Sequence, residues 1–195
     1  MRRNDRTYTV LPRRKREGKT DYHKRLGLLK AGIPRLVVRK SLKNILVQII
    51  QYEPTGDRIL VSAHSNELKR FGWLLHRGNT TAAYLVGVLI GEKAKKAKVK
   101  EAILDLGLQP SIKGACLYAV VKGSLDAGLK VPCDPVILPK EERLQGKHVE
   151  TYAKALVADK SAYQRQFSAY LKQGINPMDL SKHIQDVKSK IMKGA

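Results

Sequence analysis

The chain has few of the residues that cross-link, span a membrane or hold a metal. Its 195 residues include only two cysteines, Cys116 and Cys133. Two are too few for a disulfide framework or a four-thiolate zinc site. The five histidines, His23, His64, His76, His148 and His183, are scattered, with no pair at metal-ligand spacing. No resident metal or cofactor is expected. No apolar run approaches the roughly 18 residues of a membrane span, so no membrane partner is expected either. Met1-Arg2-Arg3-Asn4-Asp5-Arg6 has no apolar segment behind it. That argues against a secretory signal and for a soluble, cytoplasmic protein. Carboxylates are also scarce, with 17 Asp plus Glu against 38 Lys plus Arg, a net charge of +21.

What is present is enough apolar material, 43% of residues, to build a core for one domain with an appendage. The positive excess is unevenly placed. Residues 1–40 carry +11, 41–100 carry +6, 101–150 carry −1 and 151–195 carry +5. A charge serving solubility alone would be spread along the chain. This one concentrates a field at one end, as a polyanion-binding protein does.

Hydrophobic patterning orders the chain into three parts. A basic arm at 1–24, irregular by composition, holds Arg13-Arg14-Lys15-Arg16, four adjacent cations that repel one another. Without a partner such an arm is expected to be disordered. Residues 25–140 read as an α/β domain. Three strands, at 35–40, 44–52 and 58–63, are joined by turns short enough for an antiparallel meander. A short helix at 66–71 precedes a long one at 81–96, capped by Asn79 or Thr80. A buried strand at 102–106 and a helix at 115–127 ending at Gly128 follow. This order suits a mixed sheet with helices on both faces, its strands buried on both sides. The Gly87/Gly91 spacing is expected to let the long helix pack closely onto the sheet. Residues 141–195 read as a helical extension, with an aromatic stripe at Tyr163, Phe167 and Tyr170, and Asn176-Pro177 restarting the helix. It either folds on the main domain or docks on a partner.

Catalytic motifs fail one by one. Gly18-Lys19-Thr20 lacks the glycine five positions earlier that a phosphate-binding loop needs, where this chain has Arg13. No Gly-x-Ser-x-Gly elbow occurs. A two-metal nuclease on a mixed sheet needs an aspartate in its first strand, and residues 35–40 contain no acid. Asp105, on a later strand, reads as an acceptor for neighbouring backbone. The chain is therefore not expected to be an enzyme or to take a small-molecule substrate.

RNA binding fits the residues better. Cations with interleaved rings occur at Arg16, Lys19, Tyr22, His23 and Arg25, and again at Trp73, His76, Arg77 and Asn79. Folded RNA asks for this mixture of phosphate partners and flat stacking groups. Trp73 reads equally well as a stacking residue or as a core anchor. Asn79 and Thr80 present the amino terminus of the long helix. DNA is less favoured, since no helix-turn-helix or zinc finger supplies a groove reader.

Several strings together resemble a known family. These are Gly18-Lys19-Thr20-Asp21-Tyr22, Pro34-Arg35-Leu36-Val37-Val38-Arg39, Leu60-Val61-Ser62-Ala63-His64-Ser65, Gly78-Asn79-Thr80, and Gly123-Ser124-Leu125-Asp126-Ala127-Gly128. Over about residues 10–150 they look like ribosomal protein L-eighteen, and the long carboxyl tail is similar to its archaeal form. The resemblance implies a three-layer α/β domain of ribonuclease-H-like topology without catalysis. It implies binding to 5S rRNA and large-subunit rRNA in the central protuberance, beside neighbouring large-subunit proteins. Carried over by motif, the rRNA contacts would be Arg13, Arg14, Lys15, Arg16 and Lys19, then Tyr22, His23, Lys24 and Arg25. The strand-end residues Arg35, Arg39 and Lys43 join them, with the loops at His64–Ser65 and His76–Thr80.

Overall fold

A computed structural model describes residues 9–194. The expected meander is present: β1 (Arg35–Lys40), β2 (Ile45–Gln51) and β3 (Arg58–His64) pair antiparallel, with Val37 opposite Gln48 and Val47 opposite Ala63. A fourth strand, β4 (Ile103–Asp105), returns parallel to β1 and places Asp105 beside Val37. The sheet order is β3-β2-β1-β4. One sheet edge is therefore the three-residue β4, too short to invite pairing with another chain.

Before the sheet come α1 (Arg13–Arg16) and α2 (Tyr22–Leu29). The Arg13–Arg16 stretch expected to be irregular makes one helical turn, and Arg13 and Lys19 both pair with Glu17 at its end. Asp21 caps α2 by accepting from the backbone of His23 and Lys24. This helix begins three residues before the 24/25 boundary drawn from composition and crosses it. Residues 1–8 of the arm lie outside the described residues.

Period-two alternation divides the strands between two faces. Leu36, Val38, Val47, Ile49 and Ala63 are buried on one of them. Over that face lie α3 (Thr80–Lys96) and α4 (Cys116–Asp126). Asn79, not Thr80, is the α3 cap, its Oδ1 accepting from Ala82 N at 2.7 Å. The opposite face differs from expectation. Leu46, Gln48 and Ile50 are only half-buried, because α2 covers that side incompletely and a groove stays open between helix and sheet.

The glycine spacing also serves a different neighbour. A Cβ at Gly87 would collide with the Val120 carbonyl, one at Gly123 with the Tyr84 carbonyl, and one at Gly91 with the Ala127 methyl. The glycines let α3 and α4 cross in backbone contact. The partner is the other helix, not the sheet, because α4 brings its own glycine to the same crossing.

The extension folds back on the domain. Short helices α5 (Glu141–Leu144), α6 (Lys147–Ala155), α7 (Lys160–Gln166) and α8 (Ser168–Leu171) lead to α9 (Leu180–Gly194). Leu180, Ile184, Val187 and Ile191 of α9 are buried and belong to the same core cluster as the sheet. Lys188 Nζ meets the Tyr84 hydroxyl at 2.6 Å, and that hydroxyl donates to Asp126 at 2.8 Å, tying α9 to α3 and α4. Asn176 caps the restart as expected. The aromatic stripe makes a satellite cluster in which Phe167 meets Tyr163, Tyr170 and Tyr152 at centroid distances of 5.1, 5.7 and 6.1 Å.

Candidate nucleic-acid interface

The open face of the sheet carries a row of alternating charges. Arg35, Val37 and Arg39 project from β1 on this side by strand alternation, and Asp105 of β4 joins them. Arg25 Nη2 of α2 donates to both oxygens of Asp57, at 2.8 and 2.9 Å. Arg35 donates to Asp57 and to Asp105, each at 2.7 Å. Arg39 closes the row on Asp105 at 3.2 Å and also donates to the carbonyls of Val38 and Asp105, both at 2.8 Å. Asp105 Oδ1 further accepts from Gly107 N at 2.8 Å. Three arginines thus share two carboxylates. Arg35 in the middle is 4% exposed, whereas the Arg39 side chain keeps 43% of its surface.

Around this row lies the groove, about 740 Å³, between α2, the open face and the loop after β4. Six of its lining residues are cations, namely Arg14, Lys19, Lys24, Arg25, Arg35 and Arg39. Asp21, Asp57 and Asp105 are its three acids. Every one of those cations was expected from sequence, and the fold gathers them from the arm, α2 and β1 into one cavity. Gly18, at φ +62, turns the chain between α1 and α2 so that Arg14 and Lys24 reach the same groove.

A second group gathers at one end of the sheet, where β1 and β3 finish and β2 starts. Lys43 lies in the β1–β2 turn, and a Cβ on Gly78 would stand 2.8 Å from the neighbouring Leu42 carbonyl oxygen. This contact sets Lys43 beside the His76–Thr80 loop. His64 ends β3 and makes a capping box, its Nδ1 accepting from Asn66 N while Glu67 accepts from His64 N. Burial alone would raise the Glu67 carboxyl, but Lys93 at 2.6 Å and the His64 amide hold it below its ordinary value. Arg77 donates to Asn66 at 2.8 Å.

Three of the expected contact residues sit inside the protein. Trp73 is fully buried, donates from Nε1 to the His76 carbonyl at 3.3 Å and stacks on His183 of α9 at 5.8 Å. Of its two readings, core anchor is the one the packing selects. Its stacking partner His183 belongs to α9, which lies over the loop around Trp73. Ser65 is fully buried, its hydroxyl accepting from Ile45 N and donating to Asn44. Arg35 is buried in the charge row. By contrast Arg13, Lys15, Arg16, Tyr22, His23 and Lys43 are exposed. Sequence reasoning missed Asp57, which lies in the turn between β2 and β3. Its signal was four arginines (Arg25, Arg35, Arg39 and Arg58) with few acids to neutralise them.

No group of three or more His, Cys, Asp or Glu suited to a metal occurs among the described residues. Burial raises the Cys116 thiol above its usual value, with the sulfur near the Asn79 carbonyl at 3.6 Å. A small, mostly enclosed thiol of this kind serves as a packing residue.

Comparison with known proteins agrees with this cationic, non-catalytic character. Residues 6–101 match the family described as ribosomal large subunit proteins 60S L5 and 50S L18. Over 180 residues the chain is 54% identical to the large ribosomal subunit protein uL18 of Methanococcus maripaludis. That alignment covers 92% of this chain and 93% of the relative. A cationic groove on an α/β sheet, carboxylates occupied by arginines, and identity across nearly the whole length place this chain in the L5/L18 family of large-subunit ribosomal proteins.

Proposed function

We propose that the protein is a structural component of the large ribosomal subunit that binds 5S rRNA and helps attach it to large-subunit rRNA in the central protuberance. The observation that carries this reading is the groove of about 740 Å³, where six cations from three separate segments converge on one sheet face. Phosphate neutralisation needs such convergence, and the exposed Arg13, Lys15, Arg16 and Lys43 extend the same field. The end-of-sheet group, His64, His76, Arg77, Asn79 and Thr80, is a second contact area, suited to the other RNA. Neighbouring large-subunit proteins meet the less charged 101–150 side, and the setting is the cytoplasmic ribosome.

The sheet is best described as ribonuclease-H-like. Supporting this are the order β3-β2-β1-β4, the parallel β1/β4 pair, and helices α3/α4 on one face with α2 across the other. The divisions 1–24, 25–140 and 141–195 serve as arm, rRNA-binding domain and extension. Kinship to a ribosomal structural family, not an enzyme family, leaves the nuclease alternative without support. Asp105, the carboxylate such an enzyme would use, is held by two arginines. A free RNA-binding regulator is the remaining alternative, and sedimentation separates it. The protein should travel with the large subunit through a moderate-salt gradient. Recovery at the top of the gradient, with subunits devoid of it, would contradict the proposal.

A further inference from the structure

The groove does more than collect charge, and one of its walls has an unusual geometry. The Arg39 guanidinium is held by three hydrogen bonds, to Val38 O, Asp105 O and Asp105 Oδ1. It lies flat against Gly107, where a Cβ would stand 3.0 Å from Cζ and from Nη2. Only glycine permits that approach at φ +63. Both terminal nitrogens already donate to acceptors of the protein, which leaves less of its hydrogen-bonding capacity for a phosphate. A flat cation fixed in place and backed on one side, on a side chain that stays 43% exposed, is a platform for a ring.

The surrounding chemistry fits a nucleotide. Val37, Ile50, Leu104 and Leu106 supply an apolar floor, and Gln48 and Gln109 supply amides able to read a base edge. Arg14, Lys19 and Lys24 stand at the arm side, where phosphates would lie. A volume of about 740 Å³ is within the range of sites that enclose small molecules, roughly 300–1,000 Å³. It has room for a base and its sugar.

We propose that this groove seats an unpaired nucleotide of RNA, its base stacked on the Arg39 guanidinium and its phosphates held by Arg14, Lys19 and Lys24. The proposal rests on the rRNA-binding reading and adds the form of RNA that enters. Arg39 is then a selectivity residue, favouring extruded bases over continuous helix.

Three full-length variants test it by 5S rRNA binding across salt concentrations. Arg39→Lys keeps the charge and removes the plane. It should weaken binding about tenfold with the salt dependence unchanged, the size of a lost stacking contact. Lys24→Gln should instead reduce the slope of log affinity against log salt by about 0.7–0.9. Gln48→Trp fills the groove from β2, where an aromatic residue suits the strand, and should weaken binding at least as much as Arg39→Lys. An unstructured RNA hexamer should compete for the unmodified protein better than a duplex hexamer. Wild-type affinity in Gln48→Trp, or duplex competing as well as single strand, would overturn the nucleotide seat even if Arg39→Lys fails to fold. Wild-type affinity in a folded Arg39→Lys would overturn the stacking role. If unmodified protein showed no preference for 5S rRNA over unrelated RNA, the underlying reading would fail first. The two failures are thereby distinguishable.

Discussion

At Asp105 one carboxylate meets two guanidiniums and a backbone amide, within 2.7–3.2 Å. Removing its charge strands Arg35, which is 4% exposed and would be left with Asp57 as its one remaining carboxylate. Breaking a buried pair in this way costs roughly 3–5 kcal/mol. The retained Asp57 contact puts Asp105→Asn near the lower end, about 3 kcal/mol, read by urea unfolding. A loss under about 1 kcal/mol would show that Arg35 finds its stability elsewhere. The same substitution should leave RNA uncleaved before and after, since no chemistry depends on that carboxylate. Asp105 was legible in part, because strand position marked it as an acceptor. Its arginine partners were not, since Arg35 and Arg39 are 70 and 66 residues away in sequence. Only the parallel return of β4 beside β1 brings them together.

The α3/α4 crossing shows what pattern can and cannot reveal about an element. The glycine spacing announced a close approach, and a close approach exists. Which surface is approached depends on a third glycine, Gly123, whose place in α4 has no spacing relation to Gly87. Gly87→Ala and Gly123→Ala should each destabilise the protein by about 1–3 kcal/mol or more, since backbone would have to move. Thermal unfolding measures this, and a neutral result would mean that the helices slide apart freely. The strands, long helices and caps were readable because period and capping chemistry are local. The extension was less so. Ile184, Val187 and Ile191 recur at helical spacing, yet nothing in that spacing says whether a partner or the chain itself covers them. Trp73 suffered the same ambiguity, resolved only by α9 lying over it.

The docking of that extension makes the whole molecule sensitive to pH. Burial holds the His183 imidazole, stacked on Trp73, below its ordinary value of 6.5, with Asp186 opposing and Lys190 assisting. Burial lowers His148 as well, with Arg143 adding to the effect. A histidine whose folded pKa is depressed stabilises the fold above its unfolded value. As pH falls from about 6.5 towards the folded pKa, the unfolded chain takes up the proton first and stability declines. Melting temperature should therefore drop between about pH 7 and pH 5. His183→Gln should flatten part of that decline, and an unchanged profile would remove His183 from the account.

The +21 charge is organised at this scale too. It is densest in residues 1–40, which supply α1, α2 and β1 and so frame one side of the sheet. The opposite face is buried under helices. A molecule built this way should discriminate among RNAs by shape, not only attract them. Titrating the full chain with 5S rRNA and with an unrelated RNA of the same length, from low to moderate salt, tests this most directly. Both should bind tightly at low salt, and at about 0.15 M salt 5S rRNA should remain bound while the unrelated RNA dissociates. Equal affinity for the two RNAs at every salt concentration would reduce the protein to a generic polycation and contradict the account.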